Sequence, residues 1–107
     1  MRVELFWFEG CPNHVETRRT LERVLAARGR DPGEIHPVRV DAGSAAAMKF
    51  PGSPTIRVDG RDIEPDFRDV GDYSLSCRVY RTASGMRGTP PVEWIERAID
   101  EAIAGDR

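Results

Sequence analysis

The residues of this sequence best suited to chemistry are two cysteines and a histidine. Cys11 and His14 lie in the run Cys11-Pro12-Asn13-His14, which follows an apolar segment and precedes a segment with helical spacing. Because proline favours the first position of a helix, we predict that Cys11 caps a helix that begins at Pro12. The positive end of the helix dipole would then stabilise a thiolate, which makes Cys11 the predicted nucleophile. The alternative is a small buried apolar residue.

His14 lies in the first turn of the same predicted helix, and two interpretations are open. It either tunes and protonates the Cys11 thiolate or lies exposed without a role, since a histidine can change its charge near neutral pH. Cys77 is the other thiol of the chain. Its spacing of two from Leu75 and from Val79 fits one face of a strand, so it is also a candidate for a small core.

The composition is that of one soluble domain. The chain has 107 residues, 39% of them hydrophobic and 32% charged, with a net charge of −2. No block rich in lysine or arginine points to nucleic acid, and no apolar run reaches the ~20 residues that span a bilayer. The N-terminus lacks the features of a signal peptide, so we expect a cytosolic protein with reactive cysteines rather than a permanent bridge.

The spacing of apolar residues predicts an α/β fold with the order β-α-β-α-β-β-α in one domain over residues 1–107. Short apolar or alternating runs predict strands, and apolar positions at i, i+3 and i+4 predict helices. The predicted strands are Val3–Phe8, Ile35–Val40, Thr55–Val58 and Arg61–Glu64, and the predicted helices are Pro12–Arg28, Ser44–Phe50 and a last one that begins after Thr89 and ends at Gly105. Asp59-Gly60 predicts a hairpin between the last two strands. A long loop, 65–89, precedes the last helix.

This order, with a cysteine before the first helix, resembles the thioredoxin fold, a three-layer sandwich. The run Gly52-Ser53-Pro54-Thr55 stands where that fold has a cis-proline beside its active-site cysteine. Nearly the whole chain is similar to a family of small bacterial thioredoxin-like proteins with the motif Gly10-Cys11-Pro12-Asn13, some of which are labelled as alkylmercury-lyase-like. The similarity continues through the stretches 58–65, 76–80 and 90–95.

The resemblance implies a thiol–disulfide oxidoreductase with Cys11 as its nucleophile. It also implies that the substrate binds beside Pro12 and along Ser53, Pro54 and Thr55. Classical thioredoxins have Cys-x-x-Cys at the active site, whereas the fourth position here is His14. A dithiol cycle within the motif is therefore impossible.

Cys77 is the candidate for the missing second thiol. In the thioredoxin fold the segment after the last hairpin emerges on the side of the active site, so we hypothesise that Cys77 approaches Cys11 and resolves mixed disulfides. A bridge needs Cα atoms within roughly 7 Å. The core position beside Leu75 and Val79 is the competing interpretation.

Two other functions stay open beside the oxidoreductase. One is a soft-metal or mercurial-binding protein that uses Cys11 and Cys77, and the other is a non-catalytic interaction module. Arg78 and Arg81 either attract an anionic thiol such as glutathione or form a solvated surface. The expected partners are a protein or a low-molecular-weight thiol or disulfide, and we expect no cofactor, resident metal, nucleic acid or membrane as a partner.

Overall fold

A four-stranded mixed sheet carries the fold. Its strands are β1 (Val3–Trp7), β2 (Ile35–Arg39), β3 (Thr55–Val58) and β4 (Arg61–Asp62), in the order β2-β1-β3-β4. β1 is parallel to β2 and antiparallel to β3, and β4 returns antiparallel to β3. The structure is a computed structural model that describes residues 1–106. The mixed α/β class agrees with the sequence prediction.

Two helices cover one face of this sheet. They are α1 (Asn13–Ala27) and α2 (Val92–Gly105), and their apolar sides pack together with the sheet in one buried cluster. The cluster consists of Val3, Leu5, Leu21, Val24, Leu25, Ile35, Ile56, Val58, Ile63, Ile95 and Ile99. Alternation along β1 directs Val3 and Leu5 to this face and Phe6 to the other. Within residues 1–106, no helix has the length and apolar character needed to cross a membrane.

The segment after β2 covers part of the opposite face, but it is not the helix predicted over Ser44–Phe50. Residues 42–49 form consecutive turns, and Phe6, Val40, Ala45 and Phe50 make a second buried cluster there. Lys49 has a left-handed φ of 51°, which stops any continuation of helical geometry. A segment this short gains too few hydrogen bonds to offset the cost of starting a helix, so packing decides its conformation.

The predicted hairpin at Asp59-Gly60 is confirmed. Both residues have positive φ, 51° and 81°, as a tight two-residue turn between antiparallel strands requires. The long predicted loop contains regular structure of its own: β5 (Tyr80–Thr82) and β6 (Gly85–Arg87) form a separate two-stranded hairpin. The part of this loop before β5 carries Cys77.

Candidate functional site

The two cysteines of the chain meet in the structure. The Cys77 thiol donates to Cys11 Sγ across 3.1 Å, although the two residues are 66 positions apart in sequence. Both thiols are free. The sequence hypothesis that Cys77 approaches Cys11 therefore agrees with the geometry.

The alternative small core around Cys77 is absent from the described chain. Leu75, Cys77 and Val79 are all exposed, with 39% of Leu75 and 57% of Val79 accessible to solvent. Buried and exposed residues do alternate along this segment, but the residues predicted to be buried are the exposed ones. Arg78 and Tyr80 are buried, whereas Leu75, Cys77 and Val79 are exposed.

Cys11 lies in the short connection between β1 and α1. Its backbone N–H donates to the Phe8 carbonyl at 3.2 Å, and its thiol donates to the Ser53 carbonyl at 3.4 Å. The prediction that Cys11 caps α1 is wrong by one residue, because Pro12 occupies the cap position and the helix begins at Asn13. Cys11 is 0% exposed, so the sulfur predicted to attack a substrate is covered.

A short parallel bridge holds Cys77 in place. Ser53 pairs with Cys77: its N–H donates to the Ser76 carbonyl at 2.8 Å, and its carbonyl accepts from the Arg78 N–H at 2.9 Å. Gly52 has a φ of +127°, and a Cβ at this position would stand 3.0 Å from the Arg78 Cβ and 3.1 Å from its backbone nitrogen. The backbone before Pro54 can come this close to the Cys77 segment only because residue 52 is glycine.

Arg78 anchors the same segment from inside the protein. Its guanidinium donates to both carboxylate oxygens of Asp62, at 2.7 and 3.0 Å, and to Thr55 Oγ1 at 3.0 Å. It also reaches Glu64 at 3.3 Å. These four residues are called the Arg78 cluster below. Arg78 is 6% exposed, so both interpretations made from the sequence, a solvated surface or a site for an anionic thiol, are wrong for this residue.

Aromatic rings complete the anchor. The guanidinium carbon of Arg78 lies 4.4 Å from the ring centre of Tyr80 and 5.1 Å from that of Phe67. Burial opposes the charge of Arg78, but hydrogen bonding and attraction from Asp62 outweigh it and raise its pKa above the ordinary value. The guanidinium therefore stays charged, and its ion pair with Asp62 is buried on both sides.

Sequence reasoning missed the roles of Asp62 and Tyr80. Tyr80 is fully buried, its hydroxyl donates to the Pro54 carbonyl, and its ring meets Trp94 edge-on at 6.0 Å. Burial raises the pKa of Tyr80. The available signal was the alternation of apolar residues with a charged and an aromatic residue along 77–80, which indicates a half-buried extended segment regardless of which set is inside.

His14 is not brought to the sulfurs. Its ring stacks on Trp7, with ring centres 4.4 Å apart and planes 25° from parallel. Among the hydrogen bonds of residues 1–106, none joins His14 to either cysteine. A role for His14 in protonating Cys11 stays a prediction, and the structure gives it the simpler role of an aromatic partner at the start of α1.

The residues predicted to bind substrate lie beside the thiols but are mostly covered. Pro12 is exposed, whereas Ser53, Pro54 and Thr55 are buried, and the Ser53–Pro54 peptide bond is cis. Both backbone groups of Ser53 are already bonded to the Cys77 segment. Substrate binding along Ser53 stays a prediction, and it requires the Cys77 segment to move. The Ser53 hydroxyl is buried and has no hydrogen-bond partner among residues 1–106.

The Cys77 thiol resists ionisation. The pKa of Cys77 is raised because its S–H donates to Cys11 Sγ, an interaction that ionisation removes, and because partial desolvation and the nearby Cys11 sulfur also disfavour the charged form of Cys77. Within residues 1–106, no group of three or more His, Cys, Asp or Glu side chains is arranged to hold a metal ion. The site therefore offers two sulfur donors and no third ligand among these residue types.

Comparisons with known proteins find no relative of this chain. No protein-family model matches its sequence, and neither the curated proteins nor the solved structures contain a match. The features of this chain that indicate a function are therefore the two sulfurs and the residues that hold them.

Proposed function

We propose that this protein is a thiol–disulfide oxidoreductase whose redox centre is the Cys11–Cys77 pair. The supporting observation is the 3.1 Å distance between the two sulfur atoms. Shortening this distance by about 1 Å gives the ~2.05 Å bond length of a disulfide. The pair can therefore change between dithiol and disulfide with little movement of the chain around it.

The proposed reaction is a balanced exchange. One protein thiol, as its thiolate, attacks a substrate disulfide and releases one substrate thiol, leaving a mixed disulfide. The second protein thiol then loses its proton and attacks the protein sulfur of that mixed disulfide. The second substrate thiol leaves and takes up the proton. The substrate disulfide gains two electrons, and the protein dithiol loses them to become a Cys11–Cys77 disulfide.

The proposed fold class for this activity is thioredoxin-like. Its support is the sheet order β2-β1-β3-β4 with parallel β1 and β2, together with a cysteine between β1 and α1 and both helices on one face. In this scheme the turns of residues 42–49 stand in for a helix of the third layer. A pair that cycles suits the cytoplasm, where thiols are kept reduced, so we place the activity there. The proposed partner is a protein or low-molecular-weight disulfide.

A stoichiometric exchange with the neutral probe bis(2-hydroxyethyl) disulfide tests this proposal. The reduced protein should release two molecules of 2-mercaptoethanol per chain and lose two hydrogens in intact mass. After digestion with trypsin, the disulfide should hold together the peptides of residues 3–18 and 69–78, which contain Cys11 and Cys77. Cys11→Ser and Cys77→Ser serve as controls and should each stop at a mixed disulfide. A wild-type protein that also stops there, or that does not react, contradicts the proposal.

The same two sulfurs support a second candidate, capture of a thiophilic metal ion. Adjacent thiols are soft ligands for ions such as Cu(I) or Hg(II). Among residues 1–106, no His, Cys, Asp or Glu side chain is placed to act as a third ligand. Such a complex would therefore have two sulfur ligands from the protein. Binding of one Hg(II) per chain that competes with excess dithiothreitol, and that either Cys→Ser change abolishes, would favour this candidate. An affinity no better than that of a simple thiol would exclude it.

A further inference from the structure

The two cysteine residues differ in their access to solvent, and this difference bears on which one can meet a substrate. Cys11 has no accessible surface, whereas Cys77 is exposed. An external disulfide must reach the attacking sulfur along the axis of its own S–S bond, so access is a condition of the first step. Position before a helix made Cys11 the predicted nucleophile, but that position is covered in the folded protein.

Cys77 and Ser53 both contact the sulfur of the buried Cys11. Cys77 Sγ lies 3.1 Å from Cys11 Sγ, and the Ser53 carbonyl accepts the Cys11 thiol at 3.4 Å. Moving the Cys77 segment away from Cys11 would break its two backbone bonds to Ser53 and disturb the Arg78 cluster. Attack by Cys77 needs none of these interactions to break.

Cys77 is flanked in sequence by two exposed apolar residues. Leu75 and Val79, two residues away on either side, are exposed, and the neighbouring Arg78 side chain is directed inward. A neutral disulfide can therefore approach Cys77 without meeting a charge on Arg78. Cys11 is buried and therefore not accessible to solvent, but its sulfur contacts the sulfur of Cys77.

Resting on the oxidoreductase activity proposed above, we infer that Cys77 attacks the substrate and that Cys11 is the internal resolving thiol. The Cys77 thiolate displaces one substrate thiolate, which takes a proton from water. Cys11 then gives up its proton, and its sulfur attacks Cys77 Sγ in the mixed disulfide. The second substrate thiol leaves with that proton, and the protein keeps the Cys11–Cys77 disulfide. The two electrons passed to the substrate are the same as in the overall exchange.

Differential alkylation of the native reduced protein tests the assignment. A brief pulse of iodoacetamide, followed by unfolding and N-ethylmaleimide, marks each cysteine by its reactivity in the folded state. We expect the first label on the peptide 69–78, which contains Cys77, and protection of the peptide 3–18. Earlier labelling of Cys11 would overturn the assignment. The raised pKa of Cys77 predicts that its labelling rate keeps increasing as the pH rises past the usual thiol range near ~8.5.

Single-cysteine variants give a second, independent readout. With bis(2-hydroxyethyl) disulfide, Cys11→Ser should form its mixed disulfide faster than Cys77→Ser by more than about tenfold, because Cys11 reacts only after a local opening of the structure. The reverse order would overturn the assignment while leaving the dithiol exchange intact. Failure of the wild-type protein to form the internal disulfide would instead remove the oxidoreductase proposal. Circular dichroism of both variants checks that each is folded.

Discussion

Arg78 is the residue on which the position of Cys77 most depends. It follows Cys77 directly, and its guanidinium is buried against Asp62, whose side chain is 4% exposed. A buried ion pair adds little net stability, but removing one partner leaves an uncompensated charge in the interior. The effect of substituting Arg78 should therefore exceed that of substituting a surface arginine.

We predict that Arg78→Met lowers the free energy of unfolding by about 3–5 kcal/mol, since Asp62 is left unpaired. Arg78→Lys should recover only part of this loss, because an ammonium cannot donate to both Asp62 oxygens at once. Arg81→Met is the matched control, since Arg81 is exposed. Urea denaturation followed by circular dichroism measures all three variants. Equal effects of Arg78→Met and Arg81→Met would contradict the anchoring role.

The sequence showed which residues could react, but it did not show which residues they contact. Cys11 and Cys77 were singled out by their chemistry, and their approach followed from an assumed fold. Arg78 was misjudged because an arginine is mostly exposed unless it is paired, and its partner Asp62 is 16 residues away. Local patterns contain no information about such a pairing. The same limit applies to the ring contact of His14 with Trp7, which the sequence did not predict.

At the level of elements, the connection between Ser53 and the Cys77 segment is the feature that brings the thiols together. It is a single parallel bridge outside both sheets, and it depends on the close approach of Gly52 to Arg78. A side chain at residue 52 would meet backbone as well as side-chain atoms of Arg78. Backbone atoms cannot move aside as the end of a flexible side chain can.

Gly52→Ala should therefore push the Cys77 segment away from Cys11. We expect a loss of about 1–3 kcal/mol in the free energy of unfolding from the unfavourable φ alone, and in addition a weaker tendency to form the internal disulfide. Gly71→Ala is the matched control. Gly71 also has a positive φ, 78°, but a Cβ there would meet no atom of the described residues, 1–106, within 4 Å. The fraction oxidised in one glutathione buffer should fall for Gly52→Ala and not for Gly71→Ala.

An unchanged oxidised fraction in Gly52→Ala would show that the bridge does not position the thiols.

At this scale, the strands and long helices could be predicted because their apolar spacing extends over many residues. The segment 42–49 could not, because alanine favours a helix while the buried contacts of Ala45 and Phe50 hold it as turns. The hairpin of β5 and β6 could not be predicted either, because most of its residues are exposed and show no clear alternation of apolar and polar types.

In the molecule as a whole, Tyr80 connects the thiol region to the helical face. Its hydroxyl donates to the Pro54 carbonyl, and its ring lies against Trp94 of α2. The fold keeps this phenol neutral because burial raises its pKa. An unfolded tyrosine ionises near pH ~10, so above that pH the folded state binds one proton more than the unfolded state.

The free energy of unfolding should consequently decrease by about 1.4 kcal/mol for each pH unit above ~10 on account of Tyr80. Tyr80→Phe should be less stable at neutral pH, where it lacks the bond to Pro54, and should lose this part of the alkaline decrease. Urea denaturation of the oxidised proteins between pH 9 and 11 measures the slope without a contribution from the thiols. A slope identical in both proteins would contradict the buried, neutral phenol.

The most direct measurement of the thiol pair is a redox titration in mixtures of reduced and oxidised glutathione, read by intact mass after acid quenching. The structure predicts one transition between a dithiol and an internal Cys11–Cys77 disulfide, with both cysteines changing together and little glutathione adduct. Thiols held 3.1 Å apart react with each other at a high effective concentration. Glutathione adducts that persist on one cysteine, while the other stays reduced, would contradict the pairing of these two residues.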